Sequence, residues 1–281
     1  MTAALRVAIE SIGLIAPGLP DWTQASAVLR GQARWQDAPI AIPPPQRLPP
    51  AERRRVGVPV KLAMAVAEQA FAGSSAPAAD TATVFASSSG DGDNCHQLSE
   101  ALTAAEPIIS PTRFTNSVHN VPAGYWSIAV GCRAMSTSVC AHDGSFCAGL
   151  LEAATLACVD RVPVALVAFE VPYPEPIRAR RPIEAACGVA IVLWPADLPH
   201  TPRTTLATLS IGARRAPGPD GAPAVAPTTM TDAGLDALRR TTPAARSLPL
   251  LEWIARAEPG ERGRLVLDAG HGFGLPIDAV R

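Results

Sequence analysis

Two continuous apolar segments constrain the fold of this chain more than any other feature. Residues 162–171 and residues 189–194 contain almost no polar side chains and are rich in valine and alanine. Such segments are typical of central strands that are buried on both faces of a sheet, since a half-exposed strand alternates apolar with polar residues. They predict the central strands of a layered fold.

The other segments predict further strands and helices in mixed order. Apolar alternation and β-branched content predict strands at residues 5–15, 81–87, 136–139, 204–211, 264–269 and 274–280. Helical spacing of apolar residues predicts helices at residues 22–30, 61–71, 96–104, 124–131, 145–158, 231–240 and 249–256. The proline-rich residues 36–50 predict an extended surface segment. This order of elements indicates an α/β layered fold.

Composition excludes several classes of protein. The chain has 281 residues, of which 48% are hydrophobic and 17% charged, with a net charge of −1. This balance excludes a disordered chain and gives no basic surplus that would attract nucleic acid. No apolar segment reaches the roughly 18–20 residues that a membrane helix needs, and the N-terminus does not resemble a signal peptide. We therefore expect a cytoplasmic protein without a membrane span.

The six cysteines predict neither a disulfide framework nor a metal site. None of them forms a C-x-x-C pair, and most have alanine or valine neighbours, so we interpret them as small core residues in a reducing compartment. The polar residues Asp91, Asp93 and Asn94 lack the closing glutamate of a calcium loop. We expect no metal and no cofactor.

Cys140 is the candidate catalytic residue. It lies where the strand at 136–139 gives way to the helix at 145–158. Amide groups and the dipole at a helix N-terminus stabilise a thiolate, which makes a cysteine there a candidate nucleophile. The competing interpretation is a small residue that fills a buried turn.

Seven segments in order resemble the N-terminal half of the β-ketoacyl-(acyl carrier protein) synthases, which have a thiolase-like fold. They are residues 6–13, 52–63, 84–90, 110–124, 131–140, 188–193 and 207–212. The resemblance implies a thiolase-like layered α/β fold with a complete N-terminal half and a shortened C-terminal half. Residues 1–215 would form the ketosynthase N-terminal-like domain, residues 216–230 a Pro/Gly-rich linker, and residues 231–281 a shortened remnant that packs on the same domain.

The chain departs from these synthases in its histidines. The family uses two histidines from its second half to assist decarboxylation and stabilise an oxyanion. Only about 65 residues follow Ala216 here, and none of the five histidines lies in a recognisable version of those motifs; they are His96, His119, His142, His200 and His271. In this respect the chain resembles the short chain-length-factor-like proteins of aryl polyene and xanthomonadin-type pathways. That resemblance implies a non-catalytic subunit that pairs with a full-length ketosynthase and works with an acyl carrier protein.

The resemblance also implies roles for particular residues. Those expected to gate chain length are Phe114, Asn116, Ser117 and Val118, and those expected at the tunnel or interface are His119, Tyr125 and Trp126. Contacts with the carrier protein are assigned to Arg53, Arg54 and Arg55. His142 is expected to have a polar or interface role.

Two other functions stay open. One is an active β-ketoacyl synthase homodimer that uses Cys140 as its acyl nucleophile. The other is a scaffold that binds carrier protein without forming a tunnel.

Overall fold

The computed structural model describes residues 5–198, 204–218, 221, 223 and 225–281. Within them the strands are β1 (Leu5–Ile15), β2 (Ala82–Ala86), β3 (Ser136–Val139), β4 (Val164–Glu170), β5 (Cys187–Pro195), β6 (Ala207–Ile211), β7 (Arg262–Asp268) and β8 (Gly274–Val280). The α-helices are α1 (Trp22–Leu29), α2 (Pro50–Arg53), α3 (Val58–Ala72), α4 (Gly92–Thr103), α5 (Pro111–Thr115), α6 (Val121–Val130), α7 (Ser145–Asp160), α8 (Ile177–Arg180), α9 (Ala233–Thr241) and α10 (Leu248–Arg256). Short 3-10 helices occupy His142–Gly144 and Pro243–Ser247.

The strands form one mixed sheet in the order β3-β2-β4-β5-β1-β6-β8-β7. Strand β2 runs parallel to both β3 and β4, whereas all the other neighbouring pairs are antiparallel. Strands β4 and β5 lie in the interior of the sheet, and every residue of β4 is buried. The prediction that these apolar segments are buried central strands is therefore confirmed.

Helices cover both faces of the sheet, which is why β4 has no exposed side. Val164 and Leu166 point into the core beneath α7, whereas Val167 and Phe169 point into the core beneath α3. Helices α1 and α10 contribute to the first core, and α6 contributes to the second. Two apolar layers explain the near absence of polar residues along the strand.

A β-bulge at Glu10 determines which of the two cores the side chains on each half of β1 enter. The pairing of β1 with β5 shifts register there by one residue, so that Ile9 and Ile12 enter the same core although they are three positions apart. The Glu10 carboxylate accepts hydrogen bonds from the Ser75 backbone amide and from Trp194 Nε1, both at 2.8 Å. Burial acts to raise the pKa of Glu10, but these bonds outweigh it and lower that pKa.

The predicted elements are present, and the differences lie at their ends. Helix α4 begins at Gly92, four residues earlier than expected, because the Asp91 side chain accepts a hydrogen bond from the Asn94 amide and caps the helix. Strand β6 begins three residues later than expected, at Ala207. The short helices α2, α5 and α8 were not predicted; α2 begins at Pro50, within the segment predicted to be extended, and α5 begins at Pro111.

The predicted linker falls partly outside the described residues, at positions 219, 220, 222 and 224, and its boundaries stay a prediction. On its far side, β8 pairs with β6 through Ile277 and Ile211, so the last strands continue the same sheet. A bilayer requires an apolar helix of about 20 residues. Among the described residues, no helix combines the length and the hydrophobicity that a membrane crossing requires.

A close approach between β1 and α3 yields a test of this packing. A Cβ atom added at Gly13 would lie 2.1 Å from the Val66 carbonyl oxygen. We expect Gly13→Ala to lower the free energy of unfolding by about 2 kcal/mol or more, because backbone must move to admit the methyl group. Urea denaturation measures this. The control is Gly124→Ala in α6, where no atom lies within 4 Å and a small gain of up to about 1 kcal/mol is expected. Equal stability of the two variants would contradict the packing.

Candidate functional site

The candidate site lies where parallel strands end together. Strands β2, β3 and β4 run in the same direction, so their C-terminal ends meet at one edge of the sheet. The turn formed by residues 87–90 follows β2, Cys140 follows β3, and Glu170 is the last residue of β4. The topology therefore brings a serine-rich turn, a thiol and a carboxyl group together.

Cys140 is exposed, and its Sγ lies 3.6 Å from the Ser88 carbonyl oxygen, to which it donates a weak hydrogen bond. The chain does not pass directly from Cys140 into α7, since the His142–Gly144 turn intervenes. The turn is held by Ser145 Oγ, which donates to the His142 carbonyl at 2.7 Å and accepts from the Ala141 amide at 3.0 Å. Cys140 thus lies before the first turn of α7 and outside that turn, which is where a helix dipole acts most strongly.

The turn is also packed tightly from the opposite side. A Cβ atom at Gly144 would lie 2.2 Å from the carbonyl oxygen of Ala269, which directly follows β7. Only glycine fits this approach, so the segment after Cys140 is fixed against the end of β7.

The six cysteines differ in exposure and ionisation. Cys132, Cys147 and Cys187 are buried as predicted, and burial raises the pKa of both Cys147 and Cys187 to about 12. Thiols with such pKa values do not supply a thiolate at neutral pH. Cys95 and Cys140 are exposed, so the interpretation of the cysteines as core residues is wrong for these two.

No histidine of the described residues hydrogen bonds to Cys140. His142 and His271 stack on each other with ring centroids 5.2 Å apart, and His142 Nδ1 lies 3.5 Å from Asp143 Oδ1. His119 Nε2 lies 3.1 Å from the Ser87 carbonyl oxygen, so its ring braces the turn from the other side. His96 lies 3.4 Å from Glu100. The fifth histidine, His200, lies outside the described residues.

Glu170 is a buried carboxyl group that was not among the predicted site residues. Its Oε1 accepts from the Ser88 amide at 2.5 Å, and its Oε2 accepts from Ser88 Oγ at 2.9 Å and from Ser89 Oγ at 3.2 Å. Burial raises the pKa of Glu170 to about 7, although these hydrogen bonds act to lower it. Its position as the one acidic residue in the apolar segment 162–171 was the signal that could have identified it.

An ion-pair network joins the Cys140 turn to the C-terminal part of the chain. Asp143 lies 2.9 Å from Arg181 and 3.2 Å from Arg246, and Arg246 in turn lies 2.7 Å from Asp268. No sequence signal reveals this network, because its members are far apart along the chain. Across the described residues, His, Cys, Asp and Glu side chains do not gather in groups of three that could hold a metal ion.

The predicted gating residues divide into exposed and buried members. Phe114 and Val118 are 68% and 54% exposed, and Ser117 is partly exposed. Asn116 is instead buried: its Nδ2 donates to the Arg55 carbonyl at 2.8 Å, and its Oδ1 accepts from Tyr125 Oη at 3.3 Å. Asn116 therefore ties α5 and α6 to the segment after α2.

The predicted aromatic residues of α6 lie inside the protein. Tyr125 is 9% exposed and Trp126 is 1% exposed, with Trp126 stacked on Phe71 of α3 at a centroid distance of 5.3 Å. Trp126 therefore belongs to the chain's own core and does not form part of an exposed surface. Tyr125 reaches the wall of a groove of about 280 Å³ between α5 and α6, which Ile128 also lines.

The three predicted carrier-contact arginines have different partners. Arg53 donates through Nη2 to the carbonyls of Gln46 and Leu48, both at 3.1 Å, and so fixes the proline-rich segment. Arg55 pairs with Glu52 at 2.8 Å. Arg54 is exposed and makes no ion pair with the described residues. Arg54 is thus the member best placed for a partner.

Strand β3 forms an open edge of the sheet. It pairs only with β2 among the described strands, so one side of its backbone has no strand partner there. Its residues are partly or fully exposed, and α6 packs beside it. An unpaired edge next to exposed apolar side chains is typical of an interface.

The buried carboxyl group leads to a pH-dependence test. The folded-state pKa of Glu170 is about 7, above its ordinary value of 4.5, so the folded protein binds more protons than the unfolded chain between these values. The free energy of unfolding should therefore fall as pH rises from about 4.5 to 7, by at most about 3 kcal/mol from this group. We expect Glu170→Gln to flatten that part of the profile in urea denaturation between pH 5 and 8. Glu106→Gln, at an exposed position, should keep the wild-type slope, and an unchanged slope in Glu170→Gln would refute the assignment.

Comparison with solved structures finds the same fold in ketosynthase complexes. A chain of the complex of the ketosynthase ApeO with its chain length factor ApeC from Xenorhabdus doucetiae matches with 23% identity and a TM-score of 0.68, over 98% of this chain and 99% of that chain. A chain of the ishigamide ketosynthase/chain length factor matches with 15% identity and a TM-score of 0.74, over 98% and 99% of the two chains.

A third match is a chain of AntDE:AntF, a type II polyketide synthase acyl-carrier protein in complex with its ketosynthase bound to the hexaketide. It is 12% identical with a TM-score of 0.74, and the match covers 99% of each chain. No curated protein sequence matches this chain significantly.

The family model described as the N-terminal domain of β-ketoacyl synthase matches residues 22–241. This range includes α1 to α9, and with them the turn after β2, Cys140 and Glu170. The chain thus belongs to the family of the β-ketoacyl synthase N-terminal domain, and its layered α/β structure is that of the thiolase-like ketosynthases.

Proposed function

We propose that this chain is a non-catalytic chain-length-factor subunit, which pairs with a full-length ketosynthase and shapes its acyl tunnel. The observation that carries the proposal is the environment of Cys140. The cysteine occupies the turn after β3, but its hydrogen bond goes to the Ser88 carbonyl, and no imidazole of the described residues reaches it.

Among the described residues, this environment lacks the imidazole groups that assist condensation. Loss of CO₂ from an acyl donor develops negative charge on an enolate oxygen, which needs donors placed to receive it. Among the residues that the structure describes, the thiol donates to a carbonyl and has no hydrogen bond to a base that could activate it. His142 stacks on His271, and Asp143 is engaged by two arginines, so these side chains serve packing and ion pairing.

The surface around β3 supports a protein partner. The open edge of β3 lies beside α6, whose Ile128 is 60% exposed, and the nearby Phe114 and Val118 are also exposed. A backbone edge next to apolar side chains suits a partner that continues the sheet and buries those side chains. We assign the ketosynthase partner to this face.

The structural neighbours support the pathway assignment. Two of them come from complexes of a ketosynthase with a chain length factor, and a third contains a type II polyketide acyl-carrier protein. We therefore assign the chain to type II fatty-acid or polyketide-like synthesis of the aryl polyene kind, in the cytoplasm, with an acyl carrier protein as second partner. Arg54 is its proposed contact on this subunit.

The proposed mechanism of chain-length control is steric. Each methylene buried in a fitting tunnel contributes about 0.8 kcal/mol, and the gain ends where a side chain blocks the path. Phe114 of α5 is 68% exposed and lies four residues before Val118, which lines the same groove as Ile128. We assign the closed end of the tunnel to Phe114, with Ser117 and Val118 beside it.

Phe114→Ala tests this mechanism in the pair reconstituted with a ketosynthase. Removing the ring should open the tunnel and lengthen the products, as measured by mass spectrometry. The matched control is Val159→Ala, because Val159 is 70% exposed on α7, on the opposite face of the sheet. Product length that stays the same in Phe114→Ala, while the pair still forms in size-exclusion chromatography, would remove Phe114 from the gating role.

The second candidate is an active homodimer that uses Cys140, and the exposure of Cys140 is the observation that favours it. Cys140→Ala separates the two functions. A non-catalytic subunit should leave the condensation rate of the reconstituted pair within about twofold of wild type. Loss of that rate, or condensation by the chain alone with acyl labelling at Cys140, would support the enzyme instead.

A further inference from the structure

A positively charged cleft of about 400 Å³ opens beside the Cys140 turn, and the subunit role proposed above does not use it. It lies between the His142–Gly144 turn, α8 and the end of α9. We call it the arginine cleft; the polar side chains that define it are His142, Asp143, Arg180, Arg181, Arg240 and Arg246.

The arginines in and behind the cleft outnumber the carboxylates. Four arginines line the cleft, Arg180, Arg181, Arg240 and Arg246, whereas Asp143 is the one carboxylate among its lining residues. Arg239 and Arg240 share Asp236, and Arg181 and Arg246 share Asp143. Guanidinium groups therefore outnumber carboxylates among the side chains that line the cleft.

Several of these donors have no acceptor among the described residues. The Nε atoms of Arg181 and Arg246 are buried without a hydrogen-bond partner, and Arg246 as a whole is only 8% exposed. Arg180 is exposed on α8 and pairs with none of the described carboxylates. The two Nε atoms are covered by protein, so the exposed guanidinium groups of Arg180 and Arg240 are the donors that a ligand in the cleft reaches most readily.

The pKa of His142, which lines the cleft, is lowered by its surroundings. Burial lowers its pKa first, and the positive charge of Arg181 lowers that pKa further, while Asp143 opposes the change. The imidazole and the guanidinium groups together present N–H donors around one space.

We propose that the arginine cleft binds the dianion of a phosphate monoester. A surplus of guanidinium groups favours a dianion over the single charge of a carboxylate, and planar guanidinium forks suit the oxygens of a phosphoryl group. In this proposal Arg180 of α8 and Arg240 of α9 donate hydrogen bonds to the phosphoryl oxygens, and Arg181 and Arg246 line the cleft beneath them. The volume leaves room for a small organic group beyond the phosphate.

Calorimetric titration of the full chain at constant ionic strength tests the proposal without any ketosynthase, so its outcome is separable from that of the subunit role. The probes are inorganic phosphate, phenyl phosphate and acetate. Saturable binding of phosphate is expected, with weaker binding of acetate. Tighter binding of phenyl phosphate than of inorganic phosphate identifies an organic ester as the ligand, and equal binding identifies the free anion.

The test variants change exposed arginines so that the fold is retained. Arg180→Gln and Arg240→Gln should each raise the Kd for phosphate about tenfold or more, since each removes a charged donor. Arg178→Gln is the matched control, because Arg178 lies on the same short helix but outside the cleft, and its Kd should stay within twofold. Bound phosphate should also raise the pKa of His142 in an NMR titration. Lack of saturable binding, equal effects of all three variants, or equal affinity for acetate would overturn the proposal.

Discussion

The shared direction of β2, β3 and β4 is the constraint on which the site depends. Parallel strands end at the same edge of a sheet, so the turn after β2, Cys140 and Glu170 must be neighbours whatever the loops between them contain. The Glu170 carboxylate then accepts hydrogen bonds from the Ser88 amide and hydroxyl, and the Cys140 thiol donates to the Ser88 carbonyl. One backbone position thereby links the carboxyl group to the thiol.

Several contacts hold the groups around this edge in place. His119 braces the Ser87 carbonyl, Gly144 packs on the end of β7, and Asp143 is held by two arginines. The contacts of His119 and Asp143 satisfy polar groups within the chain, and the thiol has no imidazole partner among the described residues. The same ion pairs concentrate positive charge beside the turn, because more guanidinium groups than carboxylates converge there.

The sequence predicted the framework well and the site only in part. The apolar segment at 162–171 forms β4, and the small-residue segment after Cys140 forms α7. Both could be predicted because the local pattern of apolar residues reflects which side chains are buried. The roles of Asn116 and Trp126 could not be derived in the same way. Both were expected near a surface, and both are buried, because their partners Arg55 and Phe71 come from a distant part of the chain.

The sequence by itself determined the order of strands and helices, the burial of the central strands and the place of Cys140 at a strand end. These properties follow from side-chain pattern and turn chemistry within a few residues. Only the tertiary structure decided which groups meet: Glu170 with the turn after β2, Arg246 with Asp143, and Glu10 with Trp194. Such contacts depend on strand order and register, and these are set by the packing of the whole sheet between its helices.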